Sequence, residues 1–194
     1  RDNPATAGRD NPATAGRDNP ATADGVDDGA PAAEDVVGRA LPWIDKPSSA
    51  DHQNAATAHY LSYLIDRPDS VLAGLRAIAG AEGAALVHCA AGKDRTGTLV
   101  ALALLVADVE PEAVVADYAA SSERMERIVA RLKASPTYAE NLRDRPLSSH
   151  LTRPDTMHAM IEHLDAEFGG ALPALATIGW TDADSAALRA KLRD

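Results

Sequence analysis

From Ala55 onward, apolar positions recur mostly at intervals of three and four, the period of helices with one face turned to a core. Tyr60, Leu61, Leu64 and Ile65 predict a helix over Ala55 to Ile65, ended by Pro68. Val71, Leu72, Leu75 and Ile78 form one stripe over Ser70 to Ala79, with Gly80 as the stop. Ala84 to Val87 is a short apolar run with the length and branched character of a buried strand. Leu99 to Ala107 is apolar all round and predicts a buried helix. Pro111 starts another helix, which holds Asp117 and Tyr118, and Ser122 opens one with Met125, Ile128, Val129 and Leu132 on its apolar face. Thr152 with Asp155, and Thr181 with Asp184, have the spacing of capping boxes. They predict helices from Arg153 to Phe168, closed by Gly169-Gly170, and from Thr181 to about Arg193, with a short helix at Ala171 to Ile178 between them.

The start of the chain reads differently. Residues 1–24 are three copies of an eight-residue unit, each with Asn-Pro followed by Ala-Thr-Ala. The period is too short for a solenoid, and each unit has a proline and almost nothing to bury. Residues 1–35 are therefore expected to be a disordered tail, and residues 36–194 one domain. Within that domain, Val36 to Ile44 is read as a further short strand.

Composition narrows the class. The net charge of −10 argues against nucleic acid or an acidic membrane surface as a default partner. A single cysteine excludes an intramolecular disulfide and a cysteine-rich metal site. The six histidines show no paired metal spacing, so neither metal nor cofactor is expected; His52 and His59 read as surface residues. No run approaches the length of a membrane span, and no charged-then-apolar leader stands at the start. The expected location is cytoplasmic, with export by a route without a cleaved signal left open, and the oligomeric state is not legible.

The chemistry concentrates between the apolar run and the apolar helix, in Ala84-Ala-Leu-Val-His-Cys-Ala-Ala-Gly-Lys-Asp-Arg-Thr-Gly97. A strand feeding a small-residue loop that opens a helix is an anion site, because backbone N–H groups converge there and the helix dipole adds positive potential. Cys89 stands at the loop entrance, where N–H dipoles, the helix N-terminus and Arg95 all favour its thiolate. Arg95 presents a planar fork suited to two oxygens of a phosphoryl group. Gly92 and Gly97 let the backbone turn and approach the anion. Thr96 can hydrogen-bond the sulfur as it leaves in a second step. The expected phosphate-binding set is Ala90, Ala91, Gly92, Lys93, Asp94, Arg95 and Thr96.

Cys-x5-Arg alone is a weak signal. The full string His88-Cys89-x-x-Gly92-Lys93-Asp94-Arg95-Thr96-Gly97 resembles the signature loop of the cysteine-dependent protein tyrosine phosphatases. In particular it is similar to their atypical bacterial branch, which acts on phosphotyrosine, sometimes phosphoserine or phosphothreonine, and on phosphoinositides. The resemblance runs from about Val36 to the C-terminus. The usual longer N-terminal part, with its early strands and Arg-Asp-Leu-Gly-Gly-like segment, has no counterpart here. The resemblance implies an α/β fold of three layers, a small mostly parallel sheet flanked by helices. It implies a cysteinyl-phosphate intermediate and a phosphorylated protein or phosphoinositide as substrate. It also implies that Asp117-Tyr118 packs behind the site, although simple core packing is the preferred reading of that pair, and that helices after residue 122 can cover the site as a lid.

The proton donor is less specified. Family position makes Asp45 and Asp51 candidates to protonate the leaving oxygen, although Asp45 precedes Lys46-Pro47 in what reads as a turn and Asp51 could cap a helix. Asp94, inside the loop, can do acid/base work itself or only orient the loop. Lys93 adds a point charge suited to substrates with more than one phosphate. From Glu123 to Arg153 there are seven Lys or Arg against four Asp or Glu. This is either a basic cover that draws in phosphorylated substrates or a solvated helix with Glu123 and Arg127 paired. Two rivals to hydrolysis stay open: a phosphate-binding pseudophosphatase, and another Cys-x5-Arg chemistry such as sulfur transfer or arsenate reduction.

Overall fold

The computed structural model describes residues 50–193. Nine α-helices order them: α1 (Ala55–Asp66), α2 (Pro68–Ala79), α3 (Asp94–Val106), α4 (Pro111–Ala120), α5 (Met125–Lys133), α6 (Pro136–Leu142), α7 (Pro154–Phe168), α8 (Ala171–Thr177) and α9 (Asp182–Arg193). A 3₁₀ turn, Ser121–Arg124, joins α4 to α5, and another, Leu147–Ser149, precedes α7. The expected helices are therefore present, most within two residues of their sequence limits. No described helix is long and apolar enough to cross a membrane.

The helix that follows the cysteine loop is the central one. α3 packs against α1, α2, α4, α8 and α9. Its Leu102 and Val106 are fully buried in a core shared with Leu75, Met157, Met160, Leu164, Leu175 and Leu188. An apolar helix of this kind gains its stability from neighbours on every side rather than from one amphipathic face. The burial of its body fixes where its first turn, and hence the cysteine loop, stands.

The expected strand is not formed. Among the described residues there is no strand, and the run Ala84 to Val87 is irregular, with Leu86 89 % exposed. A strand is stabilised by a ladder with a neighbour, and no described segment forms one with this run. The other strand expectation, Val36 to Ile44, falls outside the described residues, as do the repeats and Asp45. The three-layer sheet is thus not found in the described part of the chain, which is helical throughout its regular structure.

The two capping boxes fare differently. Thr181 and Asp184 cap α9 reciprocally: Thr181 N–H donates to Asp184 Oδ2 (3.0 Å) and Asp184 N–H to Thr181 Oγ1 (3.2 Å). At α7 the first helical residue is Pro154, and no side chain caps the start. Thr152 turns instead to the α4–α5 corner. Its hydroxyl donates to the Ala119 carbonyl (3.0 Å), its N–H donates to Ser122 Oγ (2.9 Å), and the two hydroxyl oxygens lie 2.7 Å apart. This buried junction sets the angle at which α5 leaves α4, and so places the arginines of α5 described below. At α1 the cap is Asn54, whose Oδ1 accepts from Ala56 and Thr57 N–H, and not Asp51, which is exposed.

Removing one partner from a buried hydrogen-bonded group leaves the other desolvated and unpaired. Ser122→Ala is therefore expected to lower the unfolding free energy by about 1–3 kcal/mol, read from the denaturant midpoint at unchanged slope. An unchanged midpoint would show that the corner does not depend on this junction.

Candidate active site

Cys89 is half-buried and reduced, at the end of the exposed run and five residues before α3 begins. Between them the chain turns at Gly92, whose φ of 69° is the left-handed conformation that glycine adopts without steric cost. α3 has no side-chain cap at its start, so its first N–H groups are available to an anion rather than closed off by a neighbouring hydroxyl or carboxylate.

The sulfur feels that arrangement. Burial pushes the Cys89 thiol up, but the Thr96 hydroxyl, the backbone N–H groups of Thr96 and Gly92, and the charge of Arg95 together outweigh it. The net result is a thiol below its ordinary range, and so a larger thiolate fraction at neutral pH. The Thr96 hydroxyl is buried and makes no well-formed hydrogen bond in the resting site, yet it is near enough to the sulfur to favour the charged form.

Asp94, the first residue of α3, is fastened from two sides. Its Oδ1 accepts the Tyr60 hydroxyl (2.9 Å) and lies 3.2 Å from Lys93 Nζ. The Tyr60 and Tyr118 hydroxyls are 2.7 Å apart. Because the single Tyr60 proton goes to Asp94, Tyr118 donates to Tyr60. Burial keeps both phenols protonated, with Tyr60 pushed far up and Tyr118 to about 12. Gly97 has a reason beyond the one expected of it: a Cβ there would stand 2.9 Å from the Tyr118 ring, so its missing side chain seats the tyrosine against α3.

Two openings flank the loop. A cleft of about 700 Å³ is lined by His88, Cys89, Ala90, Ala91 and Gly92 on the loop side and by Arg124, Arg127, Ile128 and Arg131 on the other. Arg95 lines an adjoining groove of about 300 Å³ between α1, α2 and α3, with Tyr63, Arg67, Val71, Leu99 and others. The structure thus brings Cys89, Gly92 and Thr96 together and sets Ala90 and Ala91 at the cleft. It holds Lys93 and Asp94 to each other, and leaves the Arg95 side chain on the neighbouring groove while its charge still acts on the sulfur. Asp51 lies exposed ahead of α1.

Several residues near the site carried no signal of that role in the sequence. Tyr60 and Leu64 share one helical face, but nothing in spacing distinguishes a tyrosine that packs from one that holds a carboxylate. His59, expected at the surface, is half-buried and 2.8 Å from the Tyr63 hydroxyl. Burial lowers its pKa against the opposing pull of Asp94. Tyr63 is raised by burial, and by Asp94 and Cys89 against the pull of Arg95. His150 has a buried, unpartnered Nε2, and burial together with Lys93, Arg145 and Lys133 lowers its pKa. Among the described residues no group of His, Cys, Asp and Glu could hold a metal ion.

Thr96→Ala removes one group that favours the thiolate. Alkylation of Cys89 by iodoacetamide, followed against pH, is expected to have its midpoint below that of an ordinary thiol in the wild type. In the variant the midpoint should move to higher pH. Coincident profiles would remove the Thr96 hydroxyl from any part in sulfur activation.

The sequence matches the tyrosine phosphatase family over residues 29–194. It is also 45 % identical over 47 residues to the triple specificity protein phosphatase PtpB of Mycobacterium tuberculosis, a match covering 24 % of this chain and 17 % of that protein. The family match takes in the cysteine loop, the tyrosine pair behind it and every described helix, and on that extent the chain belongs to the tyrosine phosphatase family.

Proposed function

We propose that the protein hydrolyses phosphate monoesters through Cys89, acting on phosphotyrosine and, by the loop resemblance, on phosphoserine, phosphothreonine or phosphoinositide. The observation that carries this reading is a thiol held below its ordinary range by loop N–H groups, Thr96 and Arg95, at the mouth of a basic cleft. The same donors that favour a thiolate are those that a phosphoryl group, more negative still in its transition state, would engage.

In this reading the Cys89 sulfur attacks phosphorus and the bond to the ester oxygen breaks. The departing oxygen takes a proton from Asp94, leaving a cysteinyl phosphate. Water then attacks phosphorus as Asp94 accepts its proton, the sulfur–phosphorus bond breaks, and the thiolate departs onto the Thr96 hydroxyl. Arg95 moves from its groove to hold two equatorial oxygens with its fork. With Oδ1 anchored by Tyr60 and Lys93, the other carboxyl oxygen, on a side chain 35 % exposed, is the one assigned to carry the proton in the acid form that the first step uses.

Phosphate release from an aryl phosphate and a phosphotyrosine peptide tests the nucleophile. Cys89→Ser is expected to abolish release while still binding a phosphate analogue; release at the wild-type rate would exclude the covalent route. A folded wild type that binds without turnover would favour the pseudophosphatase.

Asp94→Asn keeps an oxygen for Tyr60 but cannot give up a proton. It is expected to lower turnover by about a hundredfold to ten-thousandfold, more for a poor leaving group than for a nitrophenolate. Wild-type rates on both would assign Asp94 to orientation alone.

A further inference from the structure

The arginines of the Cys89 cleft stand in a row. Arg124, Arg127 and Arg131 are spaced i, i+3 and i+7, so they share one side of the 3₁₀ turn and α5, while Met125, Val129 and Leu132 bury the other. None of the three side chains forms an ion pair or hydrogen bond with a described residue, in contrast to Arg67, Arg76, Arg189 and Arg193, each of which meets a carboxylate. Glu123 and Glu126, beside them in sequence, are exposed and do not pair with them. The pairing of Glu123 with Arg127, one of the two sequence expectations for this helix, is therefore not made, and Arg127 faces the nucleophile's cleft. Three exposed guanidinium groups with no counter-charge among the described residues repel one another, and an anion in the cleft would relieve that repulsion.

The geometry of the row indicates the shape of that anion. Seven residues of helix rise about 10 Å, roughly the length of three residues of an extended peptide. A linear row suits charges strung along a chain better than charges gathered around one ring. The chain as a whole is acidic, with a net charge of −10, which works against close approach to an anionic bilayer. Ile128 lies among the arginines and offers an apolar contact that a side chain of a peptide can use.

We propose that Arg124, Arg127 and Arg131 form a recognition subsite for acidic groups (Asp, Glu or a second phosphorylated residue) flanking the phosphorylated residue of an extended peptide substrate. This rests on the phosphatase reading for the placement of the scissile phosphate at Cys89. It goes beyond that reading by naming the substrate's sequence character and the residues that select it. Each exposed charge pair contributes modestly, so the selectivity comes from the row acting together.

The test compares two phosphotyrosine peptides, identical except that the flanking positions are Asp and Glu in one and Asn and Gln in the other. kcat/KM is measured for the full chain and for the triple variant Arg124→Gln, Arg127→Gln, Arg131→Gln. In parallel, both peptides are titrated into Cys89→Ser with and without the three changes. The wild type should favour the acidic peptide by about tenfold, chiefly through KM, with the preference weakening in salt. The triple variant should treat the two peptides alike, and lysine at the same three positions should restore part of the preference. Equal handling by the wild type, or a preference that survives the triple variant, would overturn the proposal. So would an arginine-dependent preference seen only with phosphatidylcholine vesicles carrying phosphatidylinositol phosphate. If nothing is turned over but Cys89→Ser still prefers the acidic peptide in an arginine-dependent way, the subsite stands and the hydrolytic reading fails.

Discussion

The hydroxyl of Tyr60 donating to Asp94 Oδ1 is the contact on which the arrangement of the site depends. Asp94 opens α3, the helix around which the core is built, and it lies five residues after the cysteine. Holding its carboxylate therefore fixes the end of the loop whose N–H groups face the sulfur. The hydrogen bond is charge-assisted, the stronger kind, and Tyr118 completes it from behind. A buried phenol needs a partner; here two phenols and a carboxylate satisfy one another across three helices. The absence of a side chain at Gly97 is the steric condition for that closure.

Charge in this molecule is divided by place rather than by total. The chain carries −10 overall, yet the cleft beside Cys89 is lined on one side by three arginines and on the other by a loop rich in N–H donors. Elsewhere, arginines such as Arg76 and Arg189 are neutralised by aspartates and serve to join helices. The same residue type thus does two jobs, and the presence or absence of a described carboxylate within reach separates them.

Much of the helical structure was legible in the sequence because apolar period, proline starts and glycine stops agree along α1, α2, α4, α5 and α9. The grouping of the loop was legible because a cysteine, a glycine and a threonine that meet in the structure are brought together by local spacing. The strand was not. Ala84 to Val87 has the composition of a buried strand, but burial depends on a neighbour that no property of the run itself specifies. The Thr152–Asp155 spacing misled for a related reason: a threonine that can cap a helix can also bridge to Ser122, and the tertiary partner won. A place for Tyr118 behind the site was implied by the resemblance, but its pairing with Tyr60 lay beyond reach because that contact joins residues 58 positions apart.

Lys191 donates to the carbonyls of Ala81 and Gly83, at 2.7 and 2.5 Å, in the turn that launches the chain toward Cys89. Over the residues that follow, no ladder with a described segment steadies the path. One ammonium group on the last helix therefore grips the approach to the nucleophile from more than a hundred positions downstream. Acylation of that amine would remove its charge and two of its three protons at once. A chemical change remote in sequence would in this way loosen the mounting of the sulfur while leaving every residue of the loop untouched.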